Sequence, residues 1–130
     1  MESGNLHSEE KTRVLLVDDD KALRRLIGEF LDAHGFQVLE ADSGPAMRAV
    51  LEQQPVDLVV LDVMMPGKTG WEVARNLRHD PATEQIKIVM LTAIGEQVNE
   101  MKSPLYGADA HIDKPFEFDT LERTIQRLLD

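Results

Sequence analysis

The stretch Val59-Val60-Leu61-Asp62-Val63-Met64-Met65-Pro66-Gly67-Lys68-Thr69-Gly70 constrains the fold more than any other segment of the chain. An apolar, branched-aliphatic run bounded by turn residues reads as a fully buried strand. Pro66, Gly67 and Gly70 force the turn that ends it. The strand closes on one carboxylate, Asp62, at the carboxyl edge of a sheet, where α/β folds place their chemistry. Taken alone, Asp62 is a nucleophile, a metal ligand or a helix cap.

The segments on either side supply the sheet. Residues 1–11 are polar and without apolar period, and read as a flexible tail; His7 within it is incidental. Arg13 to Val17 is a second aliphatic run, followed at once by Asp18, Asp19 and Asp20. Leu23, Leu26, Ile27, Phe30 and Leu31 then form one helical stripe, with Asp20 or Asp19 able to cap its start and Gly35 to close it. Phe36 to Ala41 is expected as a strand. Ser43-Gly44-Pro45 opens a second helix, with Met47, Val50 and Leu51 on its apolar side, and Pro55 stops it. Val56 to Leu61 is the central strand. A third helix begins at Thr69 or Gly70, and Ile86 to Leu91 is a fourth strand ending at Thr92. Residues 95–106 are expected to form a weaker helix, because Gly95, Ser103 and Pro104 oppose it. Ala110 to Ile112 is a short fifth strand, and a last helix runs from about Glu117. Five strands alternating with five helices predict a parallel sheet with helices on both faces, in a single domain over residues 12–130.

Composition narrows the chemistry. There is no cysteine, which removes disulfides and thiolate ligands, and the formal net charge of −10 argues against a general nucleic-acid surface. No apolar stretch has the length of a membrane span, and the N-terminus lacks a signal-peptide core, so a cytoplasmic protein is expected.

In a parallel sheet the carboxyl ends of the strands share one rim. Here they deliver Asp18 and Asp19, Asp62, Thr92 and Lys114 from four separate segments. Three carboxylates about 5 Å apart repel by a few kcal/mol per pair at an effective dielectric near 20. They stay ionised together only if cations compensate them. Lys114 is one; a hard divalent ion on oxygen ligands is another, and magnesium suits such a set. That combination serves phosphoryl transfer, in which a carboxylate can itself accept the phosphoryl group. Asp62 is the candidate acceptor, Asp18 and Asp19 the metal ligands, Thr92 and Lys114 the phosphoryl contacts. Each residue also has a structural alternative: Asp18 and Asp19 as caps, Thr92 as a turn residue, Lys114 as a solvated charge, Asp57 and Asp113 as ordinary strand-edge charges.

LLVDDD, LVVLDVMMPGKTG, MLTA and DKPF, in this order and spacing, resemble the receiver domain of two-component response regulators over residues 13–130. The resemblance implies a chemotaxis-receiver-like, flavodoxin-like three-layer α/β/α fold of strand order 2-1-3-4-5. It implies a phosphoacceptor at Asp62, phosphorylated by a sensor histidine kinase or phosphotransfer protein with Mg²⁺ or Mn²⁺. Asp19 matches the acid that binds the metal directly, Asp18 the acid that acts mostly through water, and the Met64 backbone carbonyl the third protein ligand. Thr92 matches the switch hydroxyl, Lys114 the lysine that contacts the phosphoryl group, and a cis Lys114–Pro115 bond is expected. The implied output surface is the fourth helix, fifth strand and last helix, with a phosphorylation-dependent dimer among its outcomes. The domain is expected not to be an enzyme beyond its own phosphorylation and dephosphorylation, and neither nucleic acid nor membrane is expected as a direct partner.

The chain departs from the family pattern at several positions, of which Lys68-Thr69, where an acidic residue is common, has no role attached to it. His111 stands at the switch position that usually carries Tyr or Phe. Met64 and Ile94 are apolar where many relatives place polar groups that guide water, so a slow-decaying phosphoryl group is expected. The competing expectations are a phosphorylation-independent interaction module of the same fold and a hydrolase that uses Asp62 transiently.

Overall fold

The structure is a computed structural model, and it describes residues 11–64, 69–92 and 107–130. Among these residues the elements are β1 (Arg13–Val17), α1 (Lys21–Ala33), β2 (Gln37–Ala41), α2 (Gly44–Gln53), β3 (Leu58–Asp62), α3 (Gly70–Arg78), β4 (Lys87–Thr92), β5 (Ala110–Asp113) and α4 (Phe118–Leu129). The helix expected over residues 95–106 lies outside the described residues.

All five strands are parallel, in the order β2-β1-β3-β4-β5. This is the flavodoxin-like order, with its switch point between β1 and β3. The aliphatic strands explain the layers, since alternate side chains leave opposite faces. Leu15, Val17, Val59, Leu61 and Met90 pack with Met47, Trp71, Val73 and Leu77 of α2 and α3. Val14, Leu16, Leu58, Val60, Val89 and Leu91 pack with Ile27, Leu31, Leu121 and Ile125 of α1 and α4. Every residue of β3 is buried, as befits the central strand of a three-layer domain.

Local chemistry sets the element ends. Asp20 caps α1 by accepting from the Leu23 N–H, and Ser43 caps α2 with Pro45 in its first turn. Gly35 takes a positive φ of 96°. The Gly35 N–H bonds to the Asp32 carbonyl and the Phe36 N–H to the Leu31 carbonyl, so α1 ends in a Schellman turn. Phe36, expected in the strand, is therefore the apolar plug of that turn, and β2 starts one residue later. Val56 is likewise buried but precedes β3, which begins at Leu58.

At the amino edge of the sheet, Arg78 at the end of α3 donates to the carbonyls of Glu84, Ile86 and Gly107 and pairs with Asp109. One guanidinium thus ties the α3–β4 connection to the segment that enters β5, beneath β4, and leaves the opposite rim free for function.

Candidate functional site

Asp18 follows β1 directly, and Asp62 is the last residue of β3. Because β1 and β3 are neighbours in register, their ends bring the two carboxylates together. One ligand oxygen from each of Asp18, Asp19 and Asp62 lies within 4.8 Å of the others. Asp18 and Asp62 are 3% and 5% exposed, whereas Asp19 is open to solvent. Lys114, following β5, reaches in from the far side of the sheet. Its Nζ is 3.2 Å from Asp62 Oδ1 and 3.9 Å from Asp18 Oδ2. The Lys114–Pro115 peptide bond is cis.

Burial, with the Asp62 carboxylate beside it, pushes the Asp18 carboxyl up to about 6 against the opposing pull of the Asp20 N–H and Lys114. Asp18 Oδ1 accepts from the Asp20 N–H at 2.9 Å. Asp18 Oδ2 is buried, and no hydrogen-bond donor reaches it among the described residues. A buried carboxylate oxygen without a donor is costly unless something cationic fills the place. Lys114 offsets only one of the three negative charges. The donors are all carboxylate oxygens, a set that suits a hard divalent ion such as magnesium and not a soft one.

Gly70 determines how closely α3 approaches this rim. A Cβ on it would lie 2.3 Å from the Asp62 carbonyl oxygen and 2.8 Å from the Val63 Cα. The Gly70 N–H donates to the Val63 carbonyl at 2.8 Å, fastening the helix start to the strand end. Thr69 and Glu72 complete a capping box there. Trp71 beside them is a core residue.

Met64 follows β3; its N–H donates to Asp62 Oδ1 at 3.4 Å, and the residue is 57% exposed. Thr92 ends β4 and is 1% exposed. Its hydroxyl donates to Asp113 Oδ1 at 2.5 Å, with the Ile112 carbonyl a second acceptor at 3.4 Å. Asp113 is therefore more than the ordinary strand-edge charge expected of it. His111 is half-buried in β5, opposite Met90. Ile94 lies outside the described residues.

Sequence reasoning missed two further residues. Arg24 donates to the Asp18 carbonyl at 2.6 Å and to Glu40 at 2.7 Å, so it holds the backbone that presents Asp18. Asp113 becomes visible only through the β4–β5 register, which sets it opposite Thr92.

Comparison with known proteins agrees with this geometry. Residues 14–126 match the sequence model described as the response regulator receiver domain. The chain is 42% identical over 103 residues to the phosphate regulon transcriptional regulatory protein PhoB of Pseudomonas aeruginosa, covering 79% of this chain and 45% of that protein. It is 41% identical to the transcriptional regulatory protein CpxR of Klebsiella pneumoniae, covering 90% of this chain and 49% of that one. The chain thus spans about half the length of these curated relatives. Among solved structures, the chemotaxis response regulator CheY4 of Vibrio cholerae superposes with a TM-score of 0.83 at 30% identity, covering 91% of this chain and 98% of that one. The response regulator TrrA of Thermotoga maritima, solved in complex with Mg²⁺-BeF, gives 0.79 at 33% identity, covering 90% of this chain and 98% of that one. No helix among the described residues is long and apolar enough to cross a membrane.

Proposed function

This chain belongs to the response regulator receiver domain family, and from that premise we propose that it is a phosphoacceptor switch, with Asp62 the residue that takes the phosphoryl group. The observation that carries the reading is the set of three clustered carboxylates with Lys114 Nζ 3.2 Å from Asp62. The receiver is taken to occupy residues 12–130, with a tail before it.

Asp18, Asp19, Asp62 and the Met64 carbonyl would hold magnesium. When bound, the ion would neutralise the carboxylates and the phosphoryl oxygens. The chain's own residues account for the rest. An Asp62 oxygen attacks phosphorus in the donor's phosphohistidine. The phosphorus–nitrogen bond breaks, its electron pair stays on the imidazole, and the ring takes up a proton. Lys114, already beside Asp62, binds the charge delivered there. Thr92 turns its hydroxyl to the phosphoryl oxygens. His111 and the surface of the helix predicted over 95–106, β5 and α4 change with it, shifting a pre-existing equilibrium. The donor is a sensor histidine kinase or phosphotransfer protein, and the recipient a cytoplasmic protein partner or a second copy of the chain. The domain is a signalling module that catalyses only its own phosphorylation and dephosphorylation. Exposed, apolar Met64 offers no group to guide water, which favours a long-lived phosphoryl group. A lifetime of only seconds at neutral pH with magnesium would contradict that last point.

Incubation with acetyl phosphate and magnesium, followed by intact mass, tests the proposal. One phosphoryl addition is expected on the wild type and none without magnesium. Equal addition on Asp62→Ala, or none on the wild type, would overturn it.

A further inference from the structure

We propose that Asp113 is a positioning residue that latches the Thr92 hydroxyl away from the phosphoacceptor and so sets the resting balance of the switch. The inference rests on the functional reading above, in which Thr92 turns toward a phosphoryl group on Asp62.

The latch follows from strand register. Thr92 and Asp113 are partners across β4 and β5, and the Lys114 N–H donates to the Thr92 carbonyl at 2.6 Å, extending that pairing past the strand end. In a parallel pair, partner residues project to the same face, so the hydroxyl and the carboxylate meet. A hydroxyl has one proton to give. Here it goes to Asp113 Oδ1 at 2.5 Å, an ionised acceptor, which makes a stronger bond than a neutral one. The remaining contact, to the Ile112 carbonyl at 3.4 Å, points to the same side strand.

Two neighbouring residues of β5 and its continuation therefore act in opposite directions. Lys114 draws negative charge to Asp62, while Asp113 draws the Thr92 proton toward β5. For Thr92 to contact a phosphoryl oxygen it must first leave Asp113. The apparent affinity for any phosphoryl-like anion is then reduced by the fraction of molecules that have already done so. Asp113 is exposed, so once released its carboxylate is solvated by water, and the latch can open without stranding a buried charge. Asp113 stands outside the Asp18–Asp19–Asp62 cluster, and its effect passes through Thr92.

The test is a double-mutant cycle on the full chain, read as beryllofluoride affinity in the presence of magnesium by calorimetry. Asp113→Ala is expected to tighten binding roughly tenfold, the weight of one charge-assisted hydrogen bond less what water returns. Asp113→Asn, which keeps a neutral acceptor, should fall between it and the wild type. Removing a negative charge near an anion site would tighten binding even without a latch, so the decisive arm is the Thr92→Ala background. There Asp113→Ala should keep only the gain due to the lost charge, several-fold smaller than in the wild-type background, because no hydroxyl remains to be held. An equal gain in both backgrounds, or no gain in either, overturns the latch while leaving Asp62 as acceptor. If the wild type and every variant bind no beryllofluoride, the phosphoacceptor reading itself fails and the latch fails with it.

Discussion

Asparagine at position 18 is expected to make the metal-free protein more stable at neutral pH, by about 2 kcal/mol, while removing its response to magnesium. The Asp18 carboxyl is pushed from 3.8 up to about 6, first by burial and then by Asp62. A group raised in the folded state binds more protons there than in the unfolded chain. Between those two values stability therefore falls as pH rises. Above about 6 the full penalty is present, and a shift of this size corresponds to roughly 2–3 kcal/mol. Asp18→Asn removes that penalty. Its amide oxygen can still accept from the Asp20 N–H, and the neutral amide no longer repels the Asp62 carboxylate. The gain should be complete above pH 7 and vanish near pH 4 in denaturant titrations run with a chelator. Magnesium should stabilise the wild type at pH 7–8 and progressively less below 6, where the proton competes for the same oxygen. A variant less stable than the wild type across this whole range would contradict the account.

The second large effect is expected at Gly70. Adding a methyl group there places carbon 2.3 Å from the Asp62 carbonyl oxygen, a backbone atom that has no rotamer to escape into. Overpacking of this kind typically costs 1–3 kcal/mol, and a backbone clash belongs at the top of that range, about 3 kcal/mol. The better helix propensity of alanine returns up to about 1 kcal/mol. Relief requires α3 or the end of β3 to move, and the end of β3 is Asp62. Gly70→Ala should therefore lose both stability and acetyl-phosphate reactivity. Wild-type behaviour in both would mean that the approach of α3 is looser than described.

Periodicity and strand ends were the legible part of the chain. The aliphatic runs located all five strands to within two residues, and the polar residue closing each run placed Asp18, Asp62, Thr92 and Lys114 on one rim. Asp20, Gly35 and Pro45 do at the helix ends what their local chemistry requires. These signals are readable because each depends on neighbours a few residues away. What escaped depends on register and approach. Arg24 reads only as a helical arginine until β1 puts the Asp18 carbonyl beside it, and Arg78 only as another until two connections converge on it. Asp113 passed as an edge charge because its acceptor role needs Thr92 directly across from it, and Gly70 as a turn residue because the obstacle to a side chain is eight residues back in β3. Phe36 reads as the first residue of the strand, whereas it completes the Schellman turn after Gly35.

The central claim is that one carboxylate, Asp62, becomes the acyl phosphate. Borohydride reduces an acyl phosphate to the alcohol, leaving homoserine where an aspartate stood. Treating the acetyl-phosphate-reacted protein with borohydride and mapping its peptides reads the acceptor directly. The account predicts homoserine at position 62 alone; homoserine at position 18 or 19, or at none, would contradict it.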